Sequence, residues 1–245
     1  MKVLILAAGY GTRLYPIIKD TAKPLLTING KPLIDYLFDK IKNLGQLNEI
    51  LVVTNNKFYN DFLRWADGKK QVPCPINVVN DGTMTPEDRL GSIGDIQFAL
   101  EHYSVNDDVL VIGGDNLFDY SLEQFVTASR QHSGSVTIGL YDIHNLKEAT
   151  KFGVVSMDSN GRIKTFEEKP KKPNSSLIAM CCYYLPVATL GLIKAYLDDV
   201  GKSDTAGDYI RWLKEWKDVY GYAFVGKWYD IGSIESYRAA EKEFK

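Results

Sequence analysis

The chain has 245 residues, a formal net charge of −2 and 45% hydrophobic residues, values that are ordinary for a globular protein. The sequence has no basic run that would support a nucleic-acid partner, no apolar stretch as long as a membrane span and no signal-peptide pattern. The cysteines lack metal-ligand spacing, and we interpret them as reduced thiols of a cytoplasmic protein (Cys74, Cys181 and Cys182).

The first predicted element is a buried strand over Val3–Ala8, and the residues that follow it are suited to bind phosphate. Gly9 and Gly11 allow backbone N–H groups to approach a ligand closely, while Arg13 and Lys23 add positive charge. A tight turn alone would also account for the two glycines. The segment does not complete a P-loop, and a leucine stands where a dinucleotide-binding loop has its third glycine, which disfavours NAD.

Strands and helices alternate through the first half of the chain. The hydrophobic spacing predicts helices from Pro32 to Leu44, over Phe58–Ala66 and around Ile93–Tyr103, and strands at Glu49–Thr54, Ile76–Asn80 and Asp108–Ile112. This alternation predicts an α/β fold with a doubly wound, mostly parallel sheet in three layers. Ligands of such sheets bind beyond the carboxyl ends of the strands, where the glycine loop and the residues after Ile112 are expected.

The second half contains a predicted β-hairpin, in which Phe152–Met157 and Arg162–Glu167 are joined by a turn with an Asn-Gly pair. Ser233 is a predicted N-cap for a closing helix that begins at Ile234. The other predicted elements are strands at Leu177–Leu185, Val219–Val225 and Trp228–Ile231 and helices at Val187–Asp198 and Asp208–Lys217. Since no linker or repeat divides the chain, we predict one domain over residues 1–245.

Two aspartates stand at glycine-bounded ends of short apolar strands. Asp115 follows Gly113 and Gly114, and Asp230 lies two residues before Gly232. An isolated aspartate of this kind often only caps its own turn, but an acid in an apolar strand is costly unless a cation or hydrogen bonds hold it. Two carboxylates and phosphate oxygens together suit Mg²⁺, and we predict a Mg²⁺ site at this pair.

The N-terminal signature is much longer than one glycine pair. Three stretches resemble the sugar-1-phosphate nucleotidyltransferases, in particular the short glucose-1-phosphate thymidylyltransferase-like proteins: Leu6-Ala7-Ala8-Gly9-x-Gly11-Thr12-Arg13-Leu14-x-Pro16, Lys23-Pro24-Leu25 and Lys31-Pro32-Leu33-Ile34. The resemblance reaches to about Tyr237. It implies the Rossmann-like fold of nucleotide-diphospho-sugar transferases with an inserted β-hairpin region for sugar binding, and Mg²⁺ as cofactor. The implied reaction forms an NDP-sugar and pyrophosphate from an NTP and a sugar 1-phosphate.

The resemblance also assigns a nucleotide-binding half to about residues 1–120 and a sugar-phosphate-binding half to about 121–245. It implies metal binding by Asp115 and Asp230 and catalytic roles for Arg13, Lys23 and Lys169. The nucleotide contacts that it implies are Ala8, Gly9, Gly11, Thr12, Asn80, Gly91 and Ser92. The sugar contacts that it implies are Asn116, Gly153, Glu168, Lys169 and Ile178. Without the resemblance, the charges around Lys169 would be interpreted as a solvated strand end.

Departures from the family pattern leave the substrates open. Asn80 stands where the thymidylyltransferases carry a glutamine. Ser92, Ile93 and Asp95 depart from the family segment that contacts the base. Met180 lies where the family commonly has a glycine beside the sugar, and we expect it to narrow or reshape that pocket. The favoured pair is dTTP or UTP with glucose 1-phosphate.

Two alternatives remain. One is a CTP-dependent cytidylyltransferase for a sugar or an alcohol phosphate such as phosphocholine, for which aromatic residues near the sites could form a cage. The other is a non-catalytic regulatory protein that binds nucleotide sugars, although a silent relative would usually have lost one of the charged residues that this chain retains. We expect no nucleic-acid or membrane partner, and no feature decides whether the chain forms a homo-oligomer. The histidines are interpreted as surface or packing residues (His102, His132 and His144).

Overall fold

The computed structural model describes residues 1–14, 20–69, 72–132, 134–201 and 205–244. The strands in these residues are β1 (Lys2–Leu6), β2 (Thr27–Ile28), β3 (Lys31–Pro32), β4 (Glu49–Thr54), β5 (Ile76–Asn80), β6 (Val109–Gly113), β7 (Asn116–Phe118), β8 (Val136–Asp142), β9 (Gly153–Met157), β10 (Ile163–Glu168), β11 (Leu177–Leu185), β12 (Val219–Phe224) and β13 (Trp228–Asp230). The helices are α1 (Leu33–Ile41), α2 (Tyr59–Asp67), α3 (Gly91–His102), α4 (Leu122–Gln131), α5 (Leu146–Ala149), α6 (Gly191–Val200), α7 (Ala206–Leu213) and α8 (Ile234–Glu243).

The chain divides into two compact units that interleave along the sequence. Unit one comprises Met1–Arg89, Ile112–Leu122 and Gly226–Lys245, and unit two comprises Leu90–Val111 and Glu123–Val225. Strand β6 therefore begins in unit two and ends in unit one. The expected single domain with an N-terminal and a C-terminal half stays a prediction.

Unit one is built on a parallel sheet in which β4 pairs with both β1 and β5. The central residues of β1 and β4 are fully buried, as the apolar runs in these strands predicted. Helix α1 presents one apolar face, because its buried residues recur at helical spacing (Leu33, Ile34, Leu37, Phe38 and Ile41). The strands β7 and β13 form a separate antiparallel pair, called here the β7–β13 ribbon.

Unit two contains a mixed sheet. The predicted hairpin is present as the antiparallel pair β9–β10, and β11 pairs with both β9 and β8. Strand β8 also pairs in parallel with β12. Helix α7 contacts β10, which brings the first turn of this helix close to the end of the hairpin. The predicted fold class, a mixed sheet flanked by helices, is confirmed.

Several elements differ from their predicted bounds. The predicted helix over Val187–Asp198 is a short 3₁₀ turn at Val187–Thr189 followed by α6. Residues 117–151 had no predicted element, yet they contain most of β7 together with α4, β8 and α5. The predicted cap of the last helix is confirmed: Ser233 accepts a hydrogen bond from Ser236 N–H in a capping box. None of the described helices has the length and apolarity needed to cross a membrane.

Candidate active site

The glycine loop after β1 is held by buried residues and exposes its polar ones. Gly11 has a φ of +65°, which strongly favours glycine, and Gly9 is exposed with open space where a side chain would be. Ala8 is buried, and its carbonyl accepts a hydrogen bond from Asn55 Nδ2 at 2.9 Å. A 3₁₀ turn over Thr12–Leu14 then buries Leu14 and leaves Thr12 and Arg13 exposed, and Pro16 of the predicted motif lies outside the described residues.

Tyr10, the variable position of this loop, has a structural role that its sequence context did not indicate. Its ring is buried, and its hydroxyl donates to Thr83 Oγ1 at 3.1 Å. The Thr83 hydroxyl in turn donates to Asp81 Oδ1 at 2.8 Å. These hydrogen bonds join the glycine loop to the segment that follows β5, and no local sequence signal could have paired residues 73 positions apart.

Lys23 and Asp115 are brought together in unit one. The Lys23 side chain is only 12% exposed, and its Nζ lies 3.3 Å from Asp115 Oδ2. Gly114 allows this approach, because a Cβ there would lie 2.7 Å from Pro24 Cγ and 2.9 Å from the carbonyl oxygen of Leu6. Close packing therefore explains the second of the two glycines before Asp115.

The β7–β13 ribbon places the two predicted metal ligands next to each other. Asp230 pairs with Asn116, the residue after Asp115, and Ile231 N–H donates to the Asp115 carbonyl at 3.0 Å. Burial raises the pKa of the Asp230 carboxyl to about 6, and the negative charge of Asp115 acts in the same direction. The charges of Lys23 and Arg13 oppose this shift. Two close carboxylates that repel each other are a donor set suited to a hard divalent cation such as Mg²⁺.

The Asn116 side chain is engaged at both ends. It is 4% exposed, its Oδ1 accepts from Trp228 Nε1 at 2.7 Å, and its Nδ2 donates to the Gly113 carbonyl at 3.1 Å. The amide expected to contact a sugar thus makes these hydrogen bonds within unit one. The sequence placed Asn116 and Trp228 in two separate motifs and gave no sign of a contact between them.

The segments expected to contact the base are also partly engaged. The Asn80 amide donates to Asn56 Oδ1 at 2.8 Å and accepts from Gly82 N–H at 2.9 Å. Gly91 has a φ of +80° and is the first residue of α3, so Ser92 lies in the first turn of this helix and not before it. The predicted start near Ile93 was too late, because the glycines in this segment weaken the periodic hydrophobic pattern.

In unit two, Glu168 and Lys169 end the β9–β10 hairpin. Glu168 pairs with Gly153, and the Lys169 N–H donates to the Phe152 carbonyl at 3.0 Å. Lys169 has a φ of +46°, an uncommon conformation for a residue with a side chain. Its exposed Nζ lies 3.6 Å from Glu168 Oε1.

Two glycines make room for the Glu168 carboxylate. A Cβ at Gly153 would lie 2.5 Å from Phe166 Cζ and 3.2 Å from Glu168 Oε2. A Cβ at Gly207, in the first turn of α7, would lie 2.8 Å from Phe166 Cε1 and would overlap Glu168 Oε2. Gly207 was not among the predicted site residues, since a glycine in a helix gives no sign of what it faces.

The expectation that Met180 narrows or reshapes the sugar pocket stays a prediction. Ile178 and Met180 are both buried on one face of β11. The alternating residues Ala179 and Cys181 point to the other face and are partly exposed.

The remaining reactive residues form no further site in the described residues. His102 stacks on Phe98, and His132 stacks on Tyr220 with ring centroids 3.7 Å apart, as expected of packing residues. None of the three cysteines forms a disulfide in the described part of the chain, and Cys181 is partly exposed. In the described part of the chain, no group of three or more metal-ligating side chains is found.

The chain is similar to known proteins along almost its whole length. The sequence model of the family described as "Nucleotidyl transferase" matches residues 2–245. A solved structure of a Bacillus anthracis protein assigned as a glucose-1-phosphate thymidylyltransferase, in complex with sucrose, is 24% identical, with a TM-score of 0.80 and coverage of 99% of this chain and 94% of that one. A UDP-glucose pyrophosphorylase complexed with UDP-glucose is 25% identical, with a TM-score of 0.83 and coverage of 99% and 97%.

A UDP-glucose pyrophosphorylase in its apo form is similar as well, with 24% identity, a TM-score of 0.81 and coverage of 99% and 97%. These structures confirm the predicted fold along almost the whole chain. The family match likewise extends from the first strand to the last residue. The chain therefore belongs to the nucleotidyl transferase family.

Proposed function

We propose that the protein is a Mg²⁺-dependent sugar-1-phosphate nucleotidyltransferase, with dTTP or UTP and glucose 1-phosphate as the favoured substrates. The observation that carries this proposal is the adjacency of Asp115 and Asp230 on the β7–β13 ribbon, with Lys23 Nζ 3.3 Å from Asp115. The solved relatives, a UDP-glucose pyrophosphorylase complexed with UDP-glucose among them, support the choice of nucleotide and sugar.

The proposed reaction transfers a nucleotidyl group to a phosphate oxygen. An oxygen of the sugar 1-phosphate attacks the α-phosphorus of the NTP, the new P–O bond forms, and the bond to the β-phosphate breaks to release pyrophosphate. A phosphate monoester has a second pKa of about 6, so the nucleophile is already mostly dianionic at neutral pH. The reaction thus needs positioning and charge neutralisation more than it needs a general base.

Unit one supplies the groups proposed to act on the nucleotide. The exposed Arg13 and the N–H groups of Gly9–Gly11 hold the β- and γ-phosphates, and Lys23 neutralises charge on the α-phosphate. Asp115 and Asp230 hold Mg²⁺, which when bound neutralises negative charge on the phosphate oxygens. Ala8, Thr12 and Asn80 are proposed to contact the nucleotide.

Unit two supplies the groups proposed to act on the sugar phosphate. Lys169 orients the attacking phosphate, and the Glu168 carboxylate accepts hydrogen bonds from sugar hydroxyls. Gly153 and the backbone of Ile178 are further proposed sugar contacts, while Gly91 and Ser92 contact the base. The partial exposure of Glu168 and the exposure of Lys169 are consistent with these roles.

The cellular setting is part of the same proposal. We expect a cytoplasmic protein of one functional domain. The three cysteines form no disulfide among the described residues, which agrees with this expectation because disulfides are rare in reducing compartments. The proposed partners are the two small-molecule substrates.

The direct test is pyrophosphate release in the presence of Mg²⁺, with five nucleotides (dTTP, UTP, CTP, ATP and GTP) crossed with a panel of sugar 1-phosphates and phosphocholine. One strongly preferred pair of dTTP or UTP with a sugar 1-phosphate supports the proposal and identifies base and sugar together. A preference for CTP with phosphocholine would establish the cytidylyltransferase alternative. Tight nucleotide-sugar binding without any release would establish a regulatory protein instead.

A further inference from the structure

We propose that the hydrogen bond between Asn116 and Trp228 is a positioning contact that fixes the separation of the Asp115 and Asp230 carboxylates. This inference rests on the proposed function, because it gives the pair a purpose in binding a divalent cation. It concerns two residues that touch neither the cation nor the reacting atoms. They act through the backbone that carries the two aspartates.

The β7–β13 ribbon is short. β7 and β13 have three residues each, and they pair as Trp228 with Phe118, Tyr229 with Leu117 and Asp230 with Asn116. A ladder this short specifies its register weakly by itself. A slip of one residue would turn each side chain to the opposite face and would separate the two carboxylates.

The hydrogen bond lies at the end of the ladder where the register matters. Trp228 precedes Asp230 by two residues, so both side chains leave the same face of β13. Asn116 stands opposite Asp230 and directly follows Asp115 in the chain. The 2.7 Å bond from Trp228 Nε1 to Asn116 Oδ1 is therefore a diagonal link across the ladder, beside both acids.

Burial makes this link specific. Asn116 is 4% exposed, and its Nδ2 is already committed to the Gly113 carbonyl at 3.1 Å, which fixes the orientation of the amide. Without the Trp228 N–H, the amide oxygen would lose this partner in a place that water reaches poorly. The fully buried Leu117 and Ile231 pack the ribbon into the core of unit one, but apolar packing has no direction and selects a register less sharply.

A competing interpretation makes Asn116 a sugar ligand. It predicts that changes at Asn116 raise the KM for the sugar phosphate alone and that the Trp228 N–H is irrelevant to the metal. The positioning contact predicts instead that loss of the Trp228 N–H or of the Asn116 amide weakens metal binding. Substituting a residue that holds a metal ligand in place typically lowers metal affinity by about 10- to 100-fold.

The test is a titration of the substrate-free protein with Mn²⁺, in which electron paramagnetic resonance measures the bound and free ion. Trp228→Phe keeps an aromatic ring and removes the N–H. We expect its affinity for Mn²⁺ to fall about 10-fold relative to the wild type. The matched control is Trp65→Phe, which also removes an indole N–H bonded at 2.8 Å to a side chain in unit one, Asp35 Oδ1, and which should leave Mn²⁺ affinity unchanged.

A second variant, which removes the acceptor of the same hydrogen bond, separates loss of this bond from a folding defect of Trp228→Phe. Asn116→Ala should weaken Mn²⁺ binding to a similar extent, and the Asn116→Ala/Trp228→Phe double variant should be no weaker than the worse single variant. Affinities of Trp228→Phe and the wild type within twofold would overturn the positioning contact while leaving the proposed metal site intact. A wild-type protein that binds no Mn²⁺ would instead contradict the metal site itself, and the inference with it.

Discussion

The two units hold their candidate functional carboxylates in different ways. In unit one, Asp115 and Asp230 sit on a ribbon that is fixed by backbone pairing, by the Asn116–Trp228 hydrogen bond and by a buried apolar cluster. In unit two, Glu168 lies in a gap that exists because Gly153 and Gly207 have no side chains. The first arrangement should be sensitive to lost donors and acceptors, and the second should be sensitive to added atoms.

The largest expected effect comes from the carboxylates of unit one. Asp115→Asn and Asp230→Asn keep the side-chain volume and remove a negative charge, and each should lower kcat by about 10²–10³-fold, the usual cost of losing one preorganised charge in a site. Pyrophosphate release with the preferred substrate pair measures this. The control is Asp198→Asn, an exposed aspartate paired with Lys194 on α6, which should have no effect. Retention of more than a tenth of wild-type turnover by either site variant would contradict the assignment.

The apolar cluster behind the ribbon should contribute to the stability of unit one. Phe244 is buried beside the fully buried Leu117 and Ile231, and its ring meets Tyr36 edge-on at 5.4 Å. Phe244→Ala should lower the free energy of unfolding by about 3 kcal/mol, since it leaves a cavity. Denaturant titration measures the change. Trp216→Ala removes a ring that is 68% exposed and should cost less than about 1 kcal/mol, so equal costs for the two variants would count against the cluster.

The gap in unit two is tested by adding one methyl group. Gly207→Ala would place a Cβ in overlap with Glu168 Oε2 and 2.8 Å from Phe166 Cε1, although alanine suits a helix better than glycine. The displaced carboxylate should raise the KM for the sugar 1-phosphate by about 10-fold, the equivalent of one hydrogen bond to a charged group. The KM for the nucleotide should stay near its wild-type value.

Gly191→Ala is the matched control for this substitution. Gly191 also opens a helix of unit two, α6, but a Cβ at this position would have no atom within 4 Å, so kinetic constants should not change. If Gly207→Ala has wild-type kinetics as well, the carboxylate does not depend on the glycine gap.

The smallest expected effect concerns the helix that carries Gly207. Thr205 caps α7 by accepting a hydrogen bond from Asp208 N–H at 3.3 Å. Thr205→Ala should lower the free energy of unfolding by about 1 kcal/mol, while Thr205→Ser, which keeps the hydroxyl, should restore most of it. Thermal or denaturant unfolding distinguishes these outcomes, and a loss that serine does not restore would argue against the cap.

Much of the fold could be predicted from local patterns. The strands Glu49–Thr54 and Ile76–Asn80 have the predicted bounds, and the Asn-Gly turn specified the β9–β10 hairpin. The short β7 was missed because three residues carry too little periodicity. Helix α4 and strand β8 were also missed, although the buried Leu122, Phe125 and Val126 follow helical spacing and gave a usable signal.

The sequence predicted which residues belong to the candidate site, but it did not predict the contacts among them. Motif spacing identified Lys23, Asp115 and Asp230, which the structure brings together. The Tyr10–Thr83 and Asn116–Trp228 hydrogen bonds join residues 73 and 112 positions apart. Such contacts follow from the tertiary fold, so no local rule applied to one sequence could have found them.

The most direct test of the central claim follows the oxygen that links sugar and phosphate. The protein is incubated with Mg²⁺, the preferred NTP and a sugar 1-phosphate carrying ¹⁸O in its C1–O–P bridge, and the products are analysed by mass spectrometry. Attack by a phosphate oxygen leaves the bridge intact, so all of the label should appear in the NDP-sugar and none in the released pyrophosphate. Label in an inorganic phosphate product would show that the C1–O bond breaks and would contradict nucleotidyl transfer.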